Sequence, residues 1–283
     1  MNKLREKSMG CVFLVTALAS IFAVIIICLF LFANGLPTIA EIGQFNFLLG
    51  TTWKPTNDIY GIFPMILGSI YVTAGSLVIG VPIGLLCAVY MARFCPARVY
   101  KYLKPAVELL AGIPSIVYGF FGLVVIVPIM RNLFGGNGKS VLTASILLGI
   151  MILPTLISVG ESAIRAVPES YYEGALALGA TPEETVFKVM LPAAKSGLTA
   201  GVILAIDRSI GEAMAVSMVA GNQPIIPGSL LSGVRTLTAN IVLEMGYAAD
   251  MHREALLATG VVLFIFILLI NLSFSLLRKG EDK

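Results

Sequence analysis

Three ionisable residues fall within six positions of an otherwise apolar stretch: Asp207, Arg208 and Glu212, in the run Asp207-Arg208-Ser209-Ile210-Gly211-Glu212-Ala213. A guanidinium is a planar fork of N–H donors that matches the oxygens of phosphate or sulfate. Arg208 and Glu212 are four apart and share a helix face, so the carboxylate could restrain the guanidinium until an anion arrives. The chemistry this predicts is anion binding along a path lined by Arg208, Glu212 and Asp207. A second reading is structural, with an Arg208–Glu212 pair or an Asp207–Arg208 contact locking helices together.

Bond-making chemistry has little support. No set of nucleophile, base and oxyanion donors is legible. The single histidine, His252, puts an imidazole-built zinc site out of reach. Cys11, Cys28, Cys87 and Cys95 lack a CxxC spacing and read as small apolar packing residues. Gly135-Gly136-Asn137-Gly138-Lys139-Ser140 ends like a phosphate-binding loop, but Leu133 stands where that motif requires glycine. It is expected to be a turn. No catalytic residue, metal site or cofactor is predicted.

A second polar segment, Glu169 to Pro192, contains two short helices. The first starts near Glu169 after Pro168 and stops at Gly179, a natural residue to follow a helix end. The second has Thr181 as N-cap, Pro182 at its first position and Glu184 at its third, a capping box. Pro192 is expected to break it. A helix-turn-helix of this size is a knob suited to docking in a groove on a partner protein.

The elements that must position these residues are dictated by composition. The chain has 283 residues, 58% hydrophobic and 12% charged, with mean hydropathy +0.94, which excludes an ordinary soluble domain. Six segments approach the roughly 20 apolar residues that cross a bilayer: Cys11–Ala33, Ser69–Met91, Val107–Ile129, Leu142–Val159, Gly197–Ala220 and Leu256–Leu277. The first is about twice the length of a signal-peptide core and no small-residue cleavage site follows it, so a retained helix is predicted. From a start near Ser196, Arg208 lies roughly 18 Å into its span at 1.5 Å per residue, near the middle of the hydrocarbon. A central charge costs about 2.5–3.5 kcal/mol on insertion scales, so it should face a partner or a watery path.

Thirteen of the 19 Lys and Arg residues fall in the termini and the second and fourth loops, and five in the opposite loops. The positive-inside rule then puts both termini and the Glu169–Pro192 knob in the cytoplasm. Basic residues form no stripe with interleaved aromatics, so no nucleic-acid partner is expected. Gly80 and Gly84 form a GxxxG spacing that suits close helix packing, while Pro82 and Pro114 could instead be gating hinges. No inverted repeat is visible. The outer loops, Asn34 to Phe63 and Asn222 to Arg253, are long enough to receive a protein. Glu244, Asp250, His252, Arg253 and Glu254 are candidates for that contact, or simply solvated.

Glu173, Ala175 and Gly179, then nine residues, then Val189, Leu191 and Pro192 resemble the E-A-A, three residues, G, nine residues, I-x-L-P signature of ABC-importer permeases. Gly174 replaces the middle alanine and Val189 the isoleucine. The resemblance to the MetI-like permease fold covers roughly residues 67 to 278. It implies an all-α polytopic membrane protein with six transmembrane helices and the type I ABC importer (MetI-like) permease fold. Residues 1–66 would hold the N-terminal tail, first helix and external loop, and residues 67–278 the permease domain with its coupling loop at 160–195. Glu173, Gly174, Ala175, Gly179, Ala180, Thr181, Pro182, Leu191 and Pro192 would then sit in a cleft of a separate cytoplasmic ATPase.

Leu110 to Gly119, Arg208 to Glu212 and Arg235 to Gly246 look like the phosphate-specific permeases, closer to the PstC type of subunit than to PstA. That resemblance implies import of inorganic phosphate across the bacterial cell membrane, with Arg208 and Glu212 as the functional charges. Asp207 is less expected at its place. The implied partners are a PstA-like permease as heterodimer, two copies of a PstB-like ATPase, a PstS-like phosphate-binding protein and membrane lipid. Molybdate, sulfate or phosphonate could be the cargo of the same machine. A secondary anion transporter could share the spans and charges, but it would not need the docking signature.

Overall fold

Backbone N–H and C=O groups cannot find water in hydrocarbon, so an apolar chain satisfies them within helices. The computed structural model describes residues 3–281, with side chains described from residue 9 to residue 273. In chain order its helices are α1 (Lys3–Ile42), α2 (Gln44–Leu49), α3 (Phe63–Val89), α4 (Ala97–Gly112), α5 (Ser115–Phe121), α6 (Val127–Phe134), α7 (Val141–Arg165), α8 (Glu169–Ala177), α9 (Pro182–Thr185), α10 (Leu191–Ala193), α11 (Lys195–Gly211), α12 (Met214–Val219), α13 (Leu237–Glu244) and α14 (Asp250–Glu281). Between α2 and α3, β1 (Trp53–Lys54) and β2 (Ile59–Tyr60) pair antiparallel.

Five helical stretches are long and apolar enough to cross a bilayer: Met9–Ile42, Phe63–Phe94, Ser115–Phe134, Val141–Arg165 and Asp250–Ser273. A sixth arises when Pro182–Ala193 and Lys195–Gly211, bent by 70°, are taken together. Three expected boundaries move. The third span starts at Ser115 rather than Val107, because Pro114 disfavours helical backbone in the residue before it and Ile113 is extended at ψ 126°. Val107 belongs to α4, which turns Tyr100, Leu103 and Val107 inward and leaves Tyr102 and Leu109 exposed. Helix α1 continues to Ile42, so the first outer loop begins well after Asn34. The fifth span is not one helix: α11 stops at Gly211 and α12 starts at Met214.

The most extensive helix packing is α3 on α7, and Gly80 and Gly84 make it possible. A Cβ on Gly80 would lie 2.7 Å from Ile152 Cδ1, and one on Gly84 would lie 2.8 Å from Leu156 Cβ. The GxxxG spacing therefore serves contact, as small residues do in membrane bundles. Tyr118, Leu147, Met151, Val216 and Val219 form one core around α5, α7 and α12. Phe47, Trp53, Tyr60, Ile62 and Leu256 form another under the outer loops. The turn at Gly135–Gly138 carries three glycines at positive φ and joins two helices, which is a turn and not a strand-to-helix phosphate loop.

Candidate functional site

The knob is built by local rules. Helix α8 ends in a Schellman motif: Gly179 takes φ 89°, its N–H donates to Leu176 O at 2.9 Å, and Ala180 N–H donates to Ala175 O at 3.1 Å. Helix α9 opens with the capping box, in which Thr181 Oγ1 accepts Glu184 N–H at 3.2 Å and Glu184 Oε2 accepts Thr181 N–H at 3.4 Å. A hydrogen bond from Lys188, with the Thr181 N–H, holds the Glu184 carboxyl below the ordinary carboxylate range. The break expected at Pro192 falls two residues later, at Ala194. The chain continues through a π turn, Val186–Met190, and α10, and bends at Ala194.

The knob has a seated side and an open side. Val186 and Met190 pack against Ala88 and Ile164, at the ends of α3 and α7. On the open side, Glu173, Gly174, Gly179, Thr181, Pro182 and Pro192 are exposed, Ala175, Ala180 and Leu191 are half-buried, and nothing lies within 4 Å of a Cβ placed on Gly174 or Gly179. Leu178, between the two short helices, is 92% exposed. One exposed apolar side chain is ordinary on a surface, so Leu178 is of interest only for its place beside the open signature positions. Leu178 falls inside the stretch Glu173 to Gly179 expected to dock, without being one of the signature positions.

Charged contacts clamp the knob to the bundle. Arg93, in the π turn that follows α3, bonds Glu169 Oε2 at 2.9 Å and lies over the Tyr172 ring at 5.3 Å. Glu161, with its side chain 2% exposed, accepts from Tyr100 Oη at 2.6 Å, Lys104 Nζ at 3.0 Å and Arg165 Nε at 2.9 Å. Arg165 also donates to Met91 O at 2.9 Å. This hub ties α4 and α7 to the π turn that follows α3. Its signal in the sequence is an acidic residue at the end of an apolar run, between Gly160 and Ser162.

Arg208 sits near the end of α11, whose rotation is fixed from the neighbouring position. Ser209 Oγ lies 2.7 Å from Ser76 Oγ of α3, and both side chains are buried. Because Ser76 donates to Thr73 O at 2.8 Å, Ser209 is the donor to Ser76. Arg208 is half-buried and is an electrostatic neighbour of Tyr118, whose hydroxyl donates to Leu110 O at 2.9 Å across the break between α4 and α5.

The expected Arg208–Glu212 pair on one helix face is not formed. Glu212 follows the last residue of α11 with extended backbone, φ −74° and ψ 120°, so the i to i+4 geometry is lost. Its Oε1 instead accepts the N–H of Ala215 at 3.1 Å and caps α12. Asp207 does not replace it: among the described residues neither Asp207 nor Glu212 makes an ion pair with Arg208, and Asp207 Oδ1 is buried without a hydrogen-bond partner. The structure thus brings three charges into one short region and, among the described residues, gives the guanidinium no ion-pair partner.

On the outer side, the candidate contact residues divide. Asp250, Arg253 and Glu254 are exposed. Glu244 is buried, accepting from Trp53 Nε1 at 2.8 Å and from Arg235, with His252 Nε2 2.8 Å away. Arg235 also bonds Asn240 Oδ1 and Asn222 O, each at 3.0 Å. Glu244 and His252 are therefore internal ties rather than solvated docking residues. Burial and a hydrogen bond to Asp58 push the nearby Tyr60 hydroxyl up to about 12.

Comparisons with known proteins show the family and the fold. Residues 80–282 match the family described as binding-protein-dependent transport system inner membrane component. The probable ABC transporter permease protein YqgH of Bacillus subtilis is 41% identical over 90% of this chain and 86% of its own. The phosphate transport system permease protein PstC of Mesorhizobium japonicum is 34% identical over 85% of this chain and 80% of its own. An inward-facing MetNI methionine ABC transporter chain matches in fold with a TM-score of 0.61 at 21% identity, covering 81% of this chain and 99% of that one. With its multi-pass helical fold, its capped knob and a family match over most of its length, this chain belongs to the inner membrane components of binding-protein-dependent transport systems.

Proposed function

We propose that this chain is the transmembrane permease subunit of an ATP-driven ABC importer that moves inorganic phosphate across the cell membrane, and that it is not itself an enzyme. The observation that carries the cargo is Arg208, a guanidinium deep in a membrane bundle without an ion-pair partner among the described residues. Such a charge is costly unless an anion or water meets it. Relatives named as phosphate transport permeases support phosphate as that anion. Asp207 and Glu212 flank the path and repel anions that are not held by the guanidinium.

Phosphate would arrive from a PstS-like binding protein at the outer loops, and power from two PstB-like ATPases at the cytoplasmic knob. A PstA-like permease would complete the pathway. Residues Glu173 to Gly179, the Ala180–Pro182 turn, Leu191 and Pro192 would fill the ATPase cleft. Both termini would be cytoplasmic, with residues 67–278 forming the permease domain after an N-terminal helix and outer loop in 1–66.

The test is uptake of labelled phosphate by the complete transporter in proteoliposomes, with sulfate, molybdate and phosphonate as competitors. Wild-type uptake should resist the competitors, and Arg208→Gln should abolish uptake while the complex still assembles. Full uptake by Arg208→Gln would return Arg208 to a structural role. Preferred uptake of a competitor would keep the machine and change the cargo.

A further inference from the structure

Glu212 stands one helical turn beyond Arg208, a spacing that in an unbroken helix would let the carboxylate neutralise the guanidinium. The fold holds it away at three points. Its backbone is extended, its Oε1 caps Ala215 N–H at 3.1 Å, and its carbonyl accepts the Thr238 hydroxyl at 3.0 Å. In a continuous helix that carbonyl would accept the N–H of Val216. Thr238 is 7% exposed and lies in the first turn of α13. Its place is fixed from outside the break, because Leu237 N–H donates to Ser69 Oγ of α3 at 3.0 Å and Thr236 Oγ1 lies 3.1 Å from Thr238 Oγ1. The far end of α13 is held through Glu244 by Trp53 and Arg235.

We propose that Thr238 is a positioning residue that stabilises the break after Gly211 and so keeps the Glu212 carboxylate from pairing with Arg208. This rests on Arg208 being the anion contact. Removing the hydroxyl leaves the carbonyl of the half-buried Glu212 without its side-chain partner. Continuing the helix through Glu212 and Ala213 would satisfy that carbonyl with the Val216 N–H. The same change would return the Glu212 side chain to the face of Arg208, where it would compete with the incoming anion.

The experiment measures phosphate imported per ATP hydrolysed by the complete transporter in proteoliposomes supplied with binding protein. Thr238→Val keeps the shape and removes the donor, and it should lower the ratio about tenfold, the upper end of what losing one partly buried hydrogen bond costs. Assembly and ATP hydrolysis should persist. Thr238→Ser should restore the ratio, and Thr238→Ala carries the same reading should the valine variant not assemble. In the Glu212→Gln background, Thr238→Val should change the ratio by less than about twofold, because the competing charge is gone. An unchanged ratio in both hydroxyl-free variants, or an undiminished effect in the Glu212→Gln background, overturns the proposal. Arg208→Gln separates the two claims: if it imports phosphate normally, the anion-contact reading fails, whatever Thr238 does.

Discussion

Tyr100 Oη lies 2.6 Å from Glu161 Oε1, joining the amphipathic helix α4 to the buried end of α7. Glu161 also receives Lys104 and Arg165, so one carboxylate fixes the junction from which the knob projects. The Tyr100 hydroxyl is pushed up chiefly by this hydrogen bond and stays a donor throughout the physiological range.

Replacing Glu161 by Gln should therefore weaken the bundle beneath the knob. Removing one partner of a fully buried charge pair costs about 3–5 kcal/mol. Arg165 is 48% exposed and Lys104 is 26% exposed, so both can turn to water and the expected loss is smaller, about 2 kcal/mol. Thermal unfolding of the purified chain in detergent should show a clear drop for Glu161→Gln and about half that for Tyr100→Phe. Equal stability of Glu161→Gln and wild type would mean the hub contributes nothing.

At the knob tip, Leu178 is 92% exposed and contributes little to the fold. Leu178→Glu should leave thermal stability within about 0.5 kcal/mol. It should weaken binding of the partner ATPase by about 2 kcal/mol, roughly thirtyfold, as loss of a central apolar anchor does. Gly179→Arg should act likewise, with an added cost of about 1 kcal/mol for an L residue at φ 89°. Co-purification of the ATPase with each variant is the measurement, and undiminished recovery would contradict the docking role.

The capping box gives the knob an acid sensitivity of known sign. Glu184 has a folded-state pKa below its reference value of 4.5, so its contribution is complete above that value. It is lost as pH falls through the lower folded value. Hydrogen exchange of the Thr181, Glu184 and Thr185 amides, corrected for intrinsic rates, should be flat from about pH 8 to 5 and rise below pH 4.5. Thr181→Ala should raise exchange at all pH values by about fivefold, the effect of a cap worth about 1 kcal/mol. Glu184→Gln should remove the acid step. An identical step in that variant would assign it to another group.

Features governed by neighbours in the chain were legible in the sequence. The apolar runs fixed a helical membrane bundle, because hydrocarbon forces each backbone polar group to bond within its own segment. Pro168, Gly179, Thr181, Pro182 and Glu184 marked the two knob helices, since a cap involves partners no more than about four residues apart. Arg208, Asp207 and Glu212 declared themselves as charges in an apolar run. Their relationship did not. Gly211 is the only local hint that α11 stops. The carbonyl freed there is met by Thr238, 26 residues away, and the rotation of α11 is set by Ser76, 133 residues before Ser209. The Glu161 hub spans 61 residues and the Trp53–Glu244 bond spans 191. Sequence alone determined which groups carry charge and that the chain is a multi-pass helical membrane protein. Tertiary structure decided that Glu212 caps α12 instead of pairing with Arg208, because the donors and packing surfaces that settle a helix break come from other helices.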